Sequence, residues 1–243
     1  MKSYISQAEI EELCEALVMQ CYGKDVSLLQ CVDIEKVITE VLGCRIEFVS
    51  FAEDDPDKIG FAGDGRTPLV VYKNDTVQSV IYPRNTIVLD RYLLQAREEN
   101  RRRFVLGHEA GHIIVSQLDP TSAACFHREY DQERVYTVSD LQARYGIGEW
   151  QANTFASALL MPRFLMKEML LLYHNGEPIP VYGEAVFHPR EKMLLHEMSE
   201  RLKVSFTALV IRLKNLGMLN HFGISEYISN EWRPGEIGSG EPL

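Results

Sequence analysis

The sequence contains no long apolar run, and no stretch approaches the roughly 18 apolar residues that a membrane-spanning helix needs. Its N-terminus also lacks the basic region followed by an apolar stretch that marks a secretory signal. Five cysteines are present, an odd number, and no two of them form a Cys-x-x-Cys pair. Cysteines scattered in this way argue against a disulfide framework and favour reduced thiols. We therefore expect a cytoplasmic chain that contacts no membrane.

Basic residues are scarce as well, because 25 lysines and arginines stand against 35 aspartates and glutamates, for a net charge of −10. This charge disfavours a general nucleic-acid-binding surface, so we do not expect direct binding to nucleic acid. In contrast, 46% of the 243 residues are hydrophobic, which is enough for a sizeable core. The composition suits one globular unit of moderate size, or a domain with an appendage.

The most informative stretch is a His-Glu-x-x-His pentapeptide, which lies within an apolar run of helical spacing at residues 104–115. His108 and His112 are four residues apart and project from one face of a helix, so both imidazoles can converge on one zinc ion. Glu109 lies beside that face, where its carboxylate can act on water without capping the metal. The pentapeptide can arise by chance, but two inward-facing histidines are costly to bury without a partner such as a metal.

A catalytic zinc ion needs a third protein ligand, which must come from another part of the chain. The best candidate is Glu149, at the head of a second segment with helical spacing. An acidic residue at a helix start is also favoured by the helix dipole, so a purely structural role for Glu149 is the alternative. The upstream histidine motif favours the ligand interpretation.

Taken together, the two motifs resemble the ImmA/IrrE family of zinc metallopeptidases, and the resemblance extends over about residues 32–219. The interval between the motifs, residues 113–148, is long for that family. The resemblance implies one zinc ion per chain, held by His108, His112 and Glu149, with Glu109 as the catalytic base. The residues that carry it are His108-Glu109-x-x-His112, Glu149-x-x-Ala152-Asn153-x-Phe155-Ala156 and Leu159-Leu160-Met161-Pro162.

The pattern along the chain predicts an α+β fold, and the resemblance implies a mostly helical, zincin-like metallopeptidase core. Alternating β-forming residues at 45–51, 68–72 and 85–90 predict a small, largely antiparallel sheet before the metal-binding helix. The strand nearest the site is a candidate cradle for an extended peptide, and a purely structural strand is at least as good an interpretation.

We divide the chain into three predicted parts. Residues 1–31 are predicted to form an N-terminal helical segment, 32–219 the metallopeptidase domain, and 220–243 a mobile C-terminal extension. Near the end of the domain, Ser205 as an N-cap and a following helix with Arg212 and Lys214 resemble a helix-turn-helix. The acidic chain, and a similar segment in the resembled family, favour a packing role over DNA reading.

Several other residues allow two interpretations. Residues 101–103 are three arginines, for which we favour a solvated helical face over contact with an acidic substrate. Gly107 and Gly111, four residues apart, each cost the helix about 1 kcal/mol relative to Ala, which indicates close packing or substrate approach along that face. Residues between the two motifs could supply a hydrogen-bond donor that stabilises the oxyanion. Cys125 and His127 could also form a second metal-binding pair, but the signal for such a pair is weak. The donor candidates are His127, Tyr130, Tyr136 and Tyr145.

These observations predict a zinc metalloendopeptidase that carries out limited proteolysis of a protein substrate. The resemblance implies that the substrate is a transcriptional repressor of a mobile element or stress regulon. The alternative is a non-proteolytic regulatory binding protein, with a structural or vestigial metal site, whose C-terminal helices contact DNA or a regulator.

Overall fold

The computed structural model describes residues 5–55, 57–118 and 138–231. Eight α-helices and seven β-strands lie within these residues, joined by short helical turns at Gly23–Leu28, Arg91–Leu94 and Ala96–Glu98. The helices are α1 (Gln7–Tyr22), α2 (Ile34–Lys36), α3 (Glu99–Leu118), α4 (Val138–Leu160), α5 (Arg163–His174), α6 (Pro189–Leu202), α7 (Phe206–Asn215) and α8 (Ile224–Glu231). The strands are β1 (Arg45–Phe51), β2 (Gly60–Ala62), β3 (Pro68–Lys73), β4 (Thr76–Ile81), β5 (Thr86–Asp90), β6 (Ile179–Tyr182) and β7 (Leu219–Phe222).

The larger sheet has the strand order β2-β5-β1-β3-β4. β1 runs parallel to β5, and the other neighbouring strands are antiparallel. The parallel pair arises because the β3–β4 hairpin intervenes in sequence before β5 returns beside β1. Asn74 and Asp75 adopt positive φ at the hairpin turn between β3 and β4. The predicted α+β class, with a small and largely antiparallel sheet before the helix of the histidine motif, is confirmed.

Helix α3 lies between this sheet and helix α4, and all three contribute to the main hydrophobic core. Every residue from 103 to 113 is buried, so the middle of α3 is enclosed on all sides. A second and smaller apolar cluster lies on the other face of the sheet, around Phe61, Leu69 and Val88. One face of the sheet therefore packs against α3, and the short strand β2 contacts that helix.

Helix α1 is an integral part of this core. Ser6 caps it by a capping box with Glu9, and its apolar face packs against α4. One polar residue on that face, Glu11, is also buried, because its carboxylate forms an ion pair with Arg212 of α7. The predicted N-terminal segment, residues 1–31, thus contributes side chains to the same core as the metallopeptidase domain where the structure describes it.

The C-terminal part differs from the predicted boundary at residue 219. Strand β7 spans that boundary and pairs in parallel with β6, and α8 follows it and contacts β6. The backbone pairing was not recognisable in the sequence because each strand has only four residues. Within the predicted extension, residues 220–231 include the end of β7 and helix α8, and residues 232–243 lie outside the described part of the chain. The mobility of the extension stays a prediction.

The helix-turn-helix pattern corresponds to α6, a turn at Lys203 with positive φ, and α7 capped by the hydroxyl of Ser205. Arg212 is only 1% exposed, and it donates hydrogen bonds to Glu11 and to the carbonyl oxygen of Met161. A guanidinium held in this way is not available to a DNA phosphate, which supports the packing interpretation of α7. Among the described residues, no helix is both long enough and apolar enough to cross a membrane.

Candidate metal centre

Helix α3 supplies the first half of the site. His108 and His112 lie one turn apart on it, and their ring centroids are 4.6 Å apart. The side chains of His108 and Glu109 are almost fully buried, and that of His112 is 9% exposed. Two imidazoles and a carboxylate are costly to bury at this depth unless hydrogen bonds or a cation stabilise them.

Helix α4 supplies the third candidate ligand. At Gly146 the backbone has φ 76° and ψ 172°, a conformation that is nearly exclusive to glycine and interrupts the helix. Regular helix resumes after this break, which places Glu149 in the first turn of the new segment, as the sequence predicted. Its carboxylate is buried and faces the two histidines of α3.

The two helices approach each other closely where α3 carries glycines. A β-carbon on Gly107 would lie 3.1 Å from Cα of Ala156, and one on Gly111 would lie 2.9 Å from Cα of Ala152. Of the two interpretations of these glycines, the structure therefore shows close packing against α4. This contact brings the histidines of α3 within reach of Glu149.

Nε2 of His108, Nε2 of His112 and the Glu149 carboxylate converge on one point. The two nitrogens are 2.9 Å apart, and they lie 3.3 Å and 3.2 Å from the two Glu149 oxygens, respectively. Ligands at about 2.0–2.1 Å from a tetrahedral zinc ion are separated by about 3.3 Å, so the three side chains fit such an ion with little movement. Among the described residues, this is the one group of three or more such side chains that could hold a metal.

The charges within the site depend on each other. Burial by itself raises the pKa of Glu149, but hydrogen bonds from His108 and His112 outweigh it and hold that pKa far below its usual range. Burial lowers the pKa of His112, whereas the hydrogen bond that its imidazole donates to the Glu149 carboxylate raises it, and the net change is an increase. Because Glu149 remains ionised, its carboxylate can accept hydrogen bonds from protonated imidazoles. It can equally bind a metal cation together with the two imidazoles in their neutral form.

Glu109 lies beside this group rather than in it. Burial raises its pKa, and the positive charge of the two histidines and of Lys58 lowers it to a smaller extent. Its Oε1 is buried and accepts no hydrogen bond from the described residues. On its other side Oε1 faces Gly60 of β2, whose lack of a side chain provides the space that the carboxylate occupies.

Asn153 is a further residue of the site. It lies one turn after Glu149 on α4, and its Oδ1 is 2.8 Å from Nδ1 of His108. The second sequence motif contains Asn153, but the sequence assigned no contact to it. Gly60 and Lys58 also went unrecognised, because they belong to a short strand and a loop with no motif of their own.

The remaining sequence candidates have other positions. Arg102 donates to the Leu93 carbonyl oxygen, and Arg101 lies over the ring of Tyr92. A solvated face is wrong for Arg103, because its guanidinium is buried and donates to main-chain oxygens of Val32 and Lys203. Four candidates lie outside the described residues, as does the side chain of Tyr145. Those four are Cys125, His127, Tyr130 and Tyr136.

Comparison with known proteins returns one family. Residues 40–214 match the model of a peptidase family whose description is the IrrE N-terminal-like domain. The matched range is more than half of the chain and contains both motifs, from the His-Glu-x-x-His pentapeptide to Met161-Pro162. No curated protein matches the chain.

Proposed function

The chain belongs to the peptidase family of the IrrE N-terminal-like domain, and from this membership we propose that it is a zinc-dependent endopeptidase. The observation that carries the proposal is the convergence of His108, His112 and Glu149, with the carboxylate of Glu109 beside them. An arrangement of three ligands and one free carboxylate is what hydrolysis of a peptide by an activated water requires.

In this proposal, His108, His112 and Glu149 hold one zinc ion per chain, and they leave a fourth position open. When bound, the ion supplies Lewis acidity, which polarises a peptide carbonyl and lowers the pKa of water. The histidines must be neutral and Glu149 ionised to serve as ligands. The strongly lowered pKa of Glu149 meets the second requirement over the whole physiological range.

Glu109 is the proposed general base. Its carboxylate accepts a proton from the water that attacks the carbonyl carbon of the scissile bond. It then donates that proton to the amide nitrogen as the C–N bond breaks, so that one carboxylate serves both halves of the reaction. A pKa raised by burial makes the carboxylate a better proton acceptor than an exposed one, which suits this role.

Strand β2 supports an extended substrate. It pairs with β5 on one side, and among the described strands none pairs with its other edge. Gly60, within this strand, faces Glu109. A peptide that added to the free edge by backbone pairing would pass beside the general base, and only a flexible segment of a folded protein can adopt that conformation.

The substrate is proposed to be a transcriptional repressor of a mobile element or stress regulon, cut at a limited number of bonds. This step rests on the resemblance to ImmA/IrrE proteins and on no contact within the site. Cytoplasmic location is part of the same proposal, and it agrees with the reduced cysteines among the described residues.

The test combines metal analysis with a search for cleaved proteins. The native chain, purified without a metal-affinity tag, should contain about one zinc ion, and Glu149→Ala should lose most of it. New protein N-termini in a host lysate, measured by mass spectrometry, should appear with the native chain, and a repressor should be among the cleaved proteins.

Glu109→Gln separates the enzyme from the regulatory binding protein. This variant should keep zinc and fold but yield no new N-termini, whereas Glu168→Gln, an exposed position on α5, should behave like the native chain. Cleavage that persists in Glu109→Gln would contradict the general-base assignment. A native chain that binds zinc and cleaves nothing, yet regulates transcription to the same extent as its Glu109→Gln variant, would favour the binding protein.

A further inference from the structure

Asn153 and His108 form a buried contact between the two metal-site helices. Asn153 is 7% exposed, and its Oδ1 lies 2.8 Å from Nδ1 of His108, which is fully buried. Asn153 follows Glu149 by four residues, so both side chains leave α4 from the same face. One turn of α4 therefore provides a candidate ligand and also contacts the imidazole of another.

The contact bears on which nitrogen of His108 carries a proton. A neutral imidazole has one N–H and one lone pair, and the partner of one nitrogen determines the state of the other. Oδ1 of Asn153 can only accept, so Nδ1 of His108 must donate to it. When the ring is neutral, the lone pair is then left on Nε2, the nitrogen that faces His112 and Glu149. When the ring is protonated, Nδ1 still donates to Asn153, and Nε2 can donate to Glu149.

The opposite tautomer would disable the site. With the proton on Nε2, His108 would direct an N–H at the centre of the group and would have no lone pair there for a cation. An imidazole whose Nδ1 had no acceptor could populate that tautomer freely, because the two tautomers of an isolated ring are similar in energy. An acceptor beside Nδ1 removes this freedom.

We propose that Asn153 is a positioning residue, which holds His108 in the tautomer protonated on Nδ1 and thereby sets the affinity of the site for zinc. The inference about affinity rests on the proposed zinc site, whereas the tautomer can be measured without metal. Outer hydrogen bonds to ligating histidines typically contribute 10-fold to 100-fold in metal affinity.

An amide acceptor also fits the charge of this site. Glu109 and Glu149 already place two carboxylates in a buried space, and a third would have to be stabilised whenever no cation is bound. Asparagine provides the acceptor oxygen without the charge. Aspartate at this position would keep the acceptor, which makes Asn153→Asp the variant that should retain the function of the contact.

Gln151 offers a matched control on the same helix. It is 2% exposed, and its Nε2 donates to the main-chain oxygen of Ile5, so it anchors α1 rather than the site. Loss of this bond should destabilise the fold about as much as loss of the bond from Asn153. A purely structural role for Asn153 would therefore make Asn153→Leu and Gln151→Leu alike in every measurement.

The first measurement is the tautomer in the metal-free chain. Long-range nitrogen–proton NMR, on protein labelled with nitrogen-15 in its histidines, distinguishes a protonated Nδ1 from a protonated Nε2. His108 should be protonated on Nδ1 in the native chain, in Asn153→Asp and in Gln151→Leu. Asn153→Leu should show a mixture or the opposite tautomer. A signal from Nδ1–H that is unchanged in Asn153→Leu would overturn the proposal.

The second measurement is the zinc dissociation constant, by competition with a chromophoric chelator, with the thermal midpoint of each metal-free variant recorded beside it. Asn153→Leu should bind zinc about 10-fold to 100-fold more weakly, and Asn153→Asp and Gln151→Leu should remain within about threefold of the native chain. Equal weakening in both leucine variants would indicate a structural role and contradict the proposal. Neither measurement depends on proteolysis. A chain that cleaves no protein would therefore contradict the proposed endopeptidase activity, and the role of Asn153 would still be tested by the tautomer and the zinc affinity.

Discussion

The carboxylate of Glu109 occupies the space that a side chain at position 60 would fill, and this space is free because residue 60 is glycine. A β-carbon on Gly60 would lie 2.5 Å from Oε1 of Glu109 and 2.6 Å from Cγ1 of Val105. Contacts this short do not occur, so a side chain at position 60 would have to displace the carboxylate, the strand or the helix. The position of the proposed general base therefore depends on a glycine in a neighbouring strand.

Gly60→Ala should lower the rate of peptide cleavage at least about tenfold, because a displacement of 1 Å in a reacting group can cost about 100-fold. The zinc content should stay near that of the native chain, since the three atoms nearest to the new β-carbon would belong to Glu109 and Val105 and not to a candidate ligand. The rate of cleavage, with metal analysis of the same samples, checks this expectation. Gly223→Ala is the control, because a β-carbon there would approach no atom closer than 3.4 Å. Unchanged turnover in Gly60→Ala would show that β2 adjusts without moving Glu109.

Gly111→Ala should destabilise the protein more than Gly107→Ala does. Alanine gains about 1 kcal/mol of helix propensity at either position. At Gly111 the new methyl would lie 2.9 Å from Cα of Ala152 and 3.1 Å from Cβ of Phe155, and overpacking of this kind costs about 1–3 kcal/mol. Urea unfolding of the two variants tests the order. A more stable Gly111→Ala would mean that α3 and α4 separate easily.

Glu11→Gln should lower the free energy of unfolding by about 3 kcal/mol, because it leaves the buried Arg212 without its counter-ion. Glu12→Gln, at the exposed neighbouring position, should have little effect and serves as the control. Replacing both partners, as Glu11→Leu with Arg212→Met, should recover most of the loss. Chemical unfolding measures all three, and an equal effect of the two glutamine variants would contradict a specific role for the ion pair.

Stability of the metal-free chain should fall as the pH rises above about 6.5. Burial lowers the pKa of His112, but Glu149 raises it further, so its net pKa lies above the ordinary 6.5. A raised pKa contributes stability below the unfolded value, and that contribution is lost as the pH rises through the folded value. The pKa of Glu149 is lowered, so its contribution is present above 4.5 and is lost only at more acidic pH. For these two groups, stability is therefore greatest between about pH 4.5 and 6.5.

Unfolding by urea after treatment with a chelator, at about pH 5.5 and about pH 8.5, measures this effect. Zinc should reverse the trend, because the ion needs neutral imidazoles and competes with protons for them. Glu149→Gln removes the charge that raises the pKa of His112, so the metal-free variant should show a smaller dependence on pH. A native profile that is flat above pH 6.5, about the ordinary histidine value, would contradict the expected pairing of His112 with Glu149.

Much of the fold was predictable because it depends on local patterns. Alternating β-forming residues indicated β1, β3 and β5, and helical spacing indicated α3 and α4. Strand β2 has three residues and β7 has four, too few for either to show a period. Their positions come from hydrogen bonds to distant strands, so the sequence did not show that β7 spans the predicted boundary at 219.

The candidate site divides in the same way. The spacing of His108, Glu109 and His112 determines by itself that they share a turn of helix, because that geometry is local. The contact between His108 and Asn153 joins residues 45 positions apart, and the ion pair of Glu11 with Arg212 joins residues 201 apart. No periodicity in the sequence carries information about such pairs.

The sequence by itself determined which side chains share a helix face, and it indicated the family through two short motifs. Only the tertiary structure decided how close α3 and α4 lie, which nitrogen of His108 faces the other candidate ligands, and where Gly60 leaves room for Glu109. The physical reason is that helical periodicity arises from hydrogen bonds between residues four apart, whereas the docking of helices and strands depends on packing between distant parts of the chain.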